Sequence, residues 1–103
     1  MPDINDILYN LSRETILNYL KNKEKKCIIV AGSGCNGKTT LLKEISQEIQ
    51  QQNYTKLYDM DITDITDYKD YNNKIIEISR DLSTYPINDD KYFIVNMTSY
   101  FKS

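Results

Sequence analysis

The chain has 103 residues, a net charge of −2, two cysteines and no histidine. That length allows one domain with one modest core, and 40% hydrophobic with 27% charged residues marks a folded chain rather than a disordered one. The composition excludes a disulfide framework, a histidine-based zinc site or general base, and a global electrostatic pull toward nucleic acid.

Met1-Pro2-Asp3-Ile4 carries an acid where a secretory leader has basic and apolar residues. The longest apolar run, Cys27–Ala31, is too short to span a bilayer. The expected location is intracellular: cytoplasmic, or a host cytoplasm or virion for a viral protein. Eleven lysines against two arginines, with abundant Asn, Ile and Tyr, fit AT-rich codons such as those of a large DNA virus or a protist.

In chain order, Ile4, Ile7, Leu8, Leu11, Ile16, Tyr19 and Leu20 recur at helical spacing, with Asp3 as N-cap and a candidate interruption at Ser12-Arg13-Glu14. Lys21, Lys23, Lys25 and Lys26 form a solvated connector at the end of the first strand remote from the glycine loop, roughly 17 Å away, so nucleic acid is expected to bind only indirectly. Cys27–Ala31 is a β-branched run typical of a strand buried on both faces. A glycine-containing loop follows, then a helix over 38–51 with Leu41, Leu42, Ile45 and Ile49 on one face. A second strand is predicted at 54–62. Tyr68, Tyr71, Ile75, Ile78 and Leu82 then form a helical stripe, ended by Pro86. The last strand is expected at 91–97. The fold class is therefore α/β: a small three-layer parallel sheet of about three strands, preceded by an N-terminal helical segment. The whole chain, 1–103, reads as a single domain, with a helical segment and linker at 1–26 and a βαβαβ core at 27–103.

All three glycines fall within Gly32-Ser33-Gly34-Cys35-Asn36-Gly37-Lys38-Thr39, which satisfies G-x-x-x-x-G-K-[ST], the phosphate-binding P-loop or Walker A pattern. Small residues let successive backbone N–H groups converge on one anion, and the following helix adds its positive end. Lys38 is placed to reach the β- and γ-phosphates, Thr39 to coordinate Mg²⁺, and Thr40 closes the candidate set. Cys35 on the crest is a small loop residue; as a thiol at a helix N-terminus it is also a candidate redox switch with a lowered pKa.

The stretch Cys27–Ile45, CIIVAGSGCNGKTTLLKEI, resembles the nucleotide-binding core of P-loop NTPases. Its Asn-Gly-Lys-Thr-Thr-Leu-Leu flavour is similar to viral superfamily 3 helicases and AAA+-like ATPases. Arg13-Glu14 with Ile16 and Leu20 resembles the helix that precedes the loop in the latter. The resemblance implies ATP (or GTP) and Mg²⁺ as ligands, phosphate contacts at Gly32, Gly37 and Lys38, and a metal contact at Thr39.

A hydrolytic relative also needs a second acid. The last strand ends in Asn96-Met97, where an Asn is similar to the polar sensor of AAA+ and superfamily 3 enzymes but supplies no base. Asp59 and Asp61, two apart near the end of the second strand, are the candidate catalytic and metal-binding acids alongside Lys38, Asp59 being the metal candidate; the alternative is a solvated acidic stretch with Asp64 and Asp67. Asp59-Met60-Asp61 is also similar to the Asp-x-Asp strand of shikimate-kinase-like small-molecule kinases. Three functions remain open: a truncated helicase-like ATPase module, a small-molecule phosphotransferase, and a non-catalytic interaction or structural protein retaining the fold. Exposed sheet edges suggest a homo-oligomer or a protein partner.

Overall fold

The computed structural model describes residues 4–22, 27–33, 37–59, 65 and 72–97. One helix, α1 (Ile4–Asn22), precedes strand β1 (Cys27–Ala31). Helices α2 (Lys38–Glu44) and α3 (Ser46–Gln51) follow, then strands β2 (Thr55–Asp59), β3 (Lys74–Ile78) and β4 (Tyr92–Asn96). The four strands are all parallel, in the order β2-β3-β1-β4.

This architecture bears out the α/β class and corrects one of its parts. The stripe at Ile75, Ile78 and Leu82 predicted a helix, yet Lys74–Ile78 is a strand and the sheet has four strands rather than about three. Ile75, Ile76 and Ile78 are all fully buried because β3 is an interior strand and both faces of the sheet are covered there. A strand buried on both faces is apolar at nearly every position, so a three-then-four spacing is found within it by coincidence. The turn before it uses Asn73, whose φ of 51° is one of the few positive values available to a residue other than glycine. Tyr68 and Tyr71 lie outside the described residues.

Other boundaries shift less. α1 runs unbroken through Ser12-Arg13-Glu14, with Ser12 buried. The predicted helix over 38–51 breaks at Ile45, although Ile45 N–H still donates to Leu41 and Ile49 N–H to the Ile45 carbonyl.

The sheet divides the core in two. Ile28, Val30, Ile75 and Val95 face Ile16 and Leu20 of α1, Leu41 and Leu42 of α2, and Ile49 of α3. Tyr19 stacks on Phe93 with ring centroids 3.9 Å apart, fastening α1 against β4. On the opposite face Cys27, Ile29, Ile76, Ile78 and Ile94 are covered by Ile65 and Leu82, with Tyr85 alongside. Among the described residues, no α-helix lies on that second face. The first part of α1 leaves its apolar residues in solvent: Ile4, Ile7 and Leu11 are 67%, 44% and 56% exposed. No helix of the described residues is long and apolar enough to cross a membrane.

The connection from β1 to β2 passes over β3 on the helical face, and that from β3 to β4 passes over β1 on the other. Opposite directions on opposite faces give both crossovers the same hand, as parallel sheets require. Neighbouring strands β1 and β3 therefore send their chains to opposite sides. The carboxyl ends of such strands are the edge where α/β sheets present ligand sites.

Candidate functional site

Gly32 follows β1 directly, at the carboxyl end of the sheet. Its N–H donates to the carbonyls of Ile78 (3.2 Å) and Arg80 (2.8 Å), tying the start of the loop to the chain emerging from β3. Its φ of 151° lies in territory that a Cβ atom disfavours. Gly37 ends the loop in the left-handed conformation, φ 85° and ψ 7°, as the N-cap of α2, and its carbonyl accepts the Leu41 N–H at 2.9 Å. Two of the three glycines thus stand where positive φ is needed, one at each end of the loop. Gly34, Cys35 and Asn36 lie outside the described residues, and Ser33 is exposed.

Lys38, the first residue of α2, is only 4% exposed, whereas Thr39 and Thr40 are exposed. The Thr39 hydroxyl Oγ1 donates to Glu77 Oε2 at 2.8 Å. Glu77 sits within β3, in register with Val30 on one side and Tyr58 on the other, and its alternation with Ile75 places it on the helical face. Its residue exposure is 4%. Taking a carboxylate out of water is costly unless its oxygens are engaged, and both are: Thr39 holds Oε2, and Lys56 Nζ stands 3.8 Å from Oε1. Tyr58 and Ser79 bring their hydroxyls within 3.3 Å of each other, bridging β2 to the chain just after β3. On the other flank Asn96, at the end of β4, donates from Nδ2 to Asp81 Oδ1 at 2.7 Å, and Asp81 also accepts the Ser83 N–H.

Glu77 is the residue that sequence reasoning missed. An acid in a presumed amphipathic helix is an ordinary solvated residue; the same acid in a strand buried on both faces demands an explanation. The signal was present in Lys74-Ile75-Ile76-Glu77-Ile78, a short β-branched run opened by two asparagines. Asp59 closes β2 in register with Ile78, and β3 stands between it and β1. Asp61 lies outside the described residues; among the described residues, the structure brings Glu77 to Thr39.

The donor set suits a hard cation. A hydroxyl and a carboxylate oxygen 2.8 Å apart offer two oxygen ligands, and magnesium commonly takes one or two protein oxygens and completes its shell with water and phosphate. The described residues hold no group of three or more His, Cys, Asp or Glu that would enclose a metal by itself. Cys27, at the amino end of β1, is remote from this chemistry. Burial pushes its thiol from 9.0 up to about 12, with the Lys74 ammonium opposing part of the rise. No protein-family model matches the chain, and neither a curated protein nor a solved structure matches it.

Proposed function

We propose that this chain binds a nucleoside triphosphate, ATP in preference to GTP, together with Mg²⁺. The loop from Gly32 to Gly37 would receive the phosphates on its backbone N–H groups, and Lys38 would add its charge. Thr39 and Glu77 would share the metal. The contact that carries this reading is the 2.8 Å hydrogen bond between Thr39 and Glu77. It joins the last residue of the glycine motif to an acid on β3, the strand paired with β1. Neither the motif nor the acid alone makes the argument; their meeting across 38 residues of sequence does.

Binding is the activity proposed, and ATP hydrolysis by a helicase-like module of viral type is its extension. Glu77, already engaged by Thr39 and Lys56, suits holding a cation better than deprotonating water. Calorimetric titration with Mg-ATP and Mg-GTP, comparing the wild type with Lys38→Ala, tests the reading, and phosphate release under multiple turnover tests the extension. Saturable heat that is lost in Lys38→Ala is expected. Absence of both heat and thermal shift with either nucleotide would remove the proposal.

A further inference from the structure

We propose that Lys56 and a divalent cation are alternative partners of Glu77, so that this lysine on the edge strand sets the cation affinity of the site. The inference rests on the nucleotide and Mg²⁺ reading and adds to it a residue that the glycine motif does not contain.

The two contacts of the carboxylate differ in kind. Thr39 Oγ1 lies at hydrogen-bond distance, 2.8 Å, from one oxygen, while Lys56 Nζ stands 3.8 Å from the other. The longer separation is outside hydrogen-bonding range, so Lys56 acts through charge alone. The Lys56 side chain is 38% exposed and that of Glu77 is 5%. A flexible stem lets the ammonium move into water at small cost. Glu77 has no such freedom, because its strand is clamped between β1 and β2 and the adjacent Ile76 and Ile78 are fully buried. A cation arriving at Thr39 and Glu77 therefore repels the lysine, and it is the lysine that leaves. Without a cation, the Lys56 ammonium opposes the charge of this buried carboxylate.

This arrangement makes Lys56 a competitor of Mg²⁺ and couples the site to β2, the strand at the edge of the sheet. Lys56→Met keeps most of the apolar stem and removes the competing charge. With saturating ATP, its Mg²⁺ dissociation constant should fall about 1.4- to fivefold relative to wild type, the range of one partly exposed charge pair worth about 0.2–1 kcal/mol. Mg²⁺ alone, without nucleotide, should raise the melting temperature of Lys56→Met more than that of wild type. Lys56→Arg should behave as wild type.

Equal Mg²⁺ affinity in wild type, Lys56→Met and Lys56→Arg, with ATP still binding, overturns the inference and leaves the nucleotide reading standing. If no nucleotide binds to any form while Mg²⁺ still stabilises Lys56→Met selectively, the nucleotide reading falls and the competition stands. Should Lys56→Met fail to fold, the Lys56→Met/Glu77→Gln double variant, which carries neither charge, should regain a cooperative melt with no Mg²⁺ response; a double variant that also fails to fold overturns the inference.

Discussion

Replacing Glu77 by glutamine separates the charge of this residue from its shape. The carboxamide has nearly the same volume, and its oxygen can still accept the Thr39 hydroxyl that now lies 2.8 Å from Oε2. The loss for folding is the ion pair with Lys56, a side chain 38% exposed at 3.8 Å, worth no more than about 1 kcal/mol. Burying a neutral amide costs less than burying a carboxylate, which offsets part of that loss. Folding stability should therefore change by less than about 1 kcal/mol, a melting shift of only a few degrees for a domain of this size. Ligand binding should respond differently, because the carboxylate's contribution to the cation is charge-assisted and is worth roughly 1.5–3 kcal/mol. That corresponds to about a ten- to 150-fold loss in Mg-ATP affinity. Titration calorimetry with and without Mg²⁺ measures it, with thermal unfolding as the control for the fold. Glu77→Gln should bind ATP without Mg²⁺ about as the wild type does, and should lose the increment that Mg²⁺ supplies. A folded Glu77→Gln variant with the wild-type Mg²⁺ increment would refute the assignment of Glu77 to the metal.

Two further outcomes follow from the same structure. Ile76 is fully buried on β3, in register with Ile29 and Leu57, so Ile76→Ala should cost about 2–5 kcal/mol by urea denaturation; a cost under about 1 kcal/mol would favour the helical stripe, from which Ile76 is absent. Cys27 should make stability fall at high pH. Its folded pKa of about 12 exceeds its ordinary 9.0, so between those values the unfolded chain has released a proton that the native state retains. The contribution is present in full below pH 9 and declines by up to about 1.4 kcal/mol per pH unit above it. Burial raises Tyr9 and Tyr54 as well, adding to the same trend in more alkaline solution. Denaturation midpoints of the wild type and Cys27→Ala from pH 8 to 11 check this, and parallel curves would count against it.

Elements with a single physical reading were legible in the chain. Cys27–Ala31 reads as a buried strand because it is apolar throughout, with β-branched Ile28, Ile29 and Val30 at its centre, and a glycine loop follows at once. Lys91–Met97 reads as a strand for a similar reason, and β4 occupies its centre. The segment from Asp64 to Leu82 permits two readings, since tyrosines and isoleucines spaced by three and four fit a helix while Lys74–Ile78 fits a strand. Local pattern does not decide between them; pairing with β1 and β2 in the sheet does. The candidate site inherits the same division. Gly32, Gly37, Lys38 and Thr39 are visible as a motif, whereas Glu77 becomes an acid of the site only when β3 is placed next to β1.

The glycines alone mark one loop as a place of unusual backbone, and the structure finds positive φ at both of its described ends, while the left-handed turns at Asn53 and Asn73 carry no glycine to announce them. The sequence by itself also determined which strand feeds that loop and which helix leaves it, since both follow from patterns only a few residues long. Which acid stands opposite Thr39 is settled by strand pairing, which sets Glu77 there. That depends on strand order, a property of contacts between segments 38 residues apart, and periodicity within a segment carries no information about it.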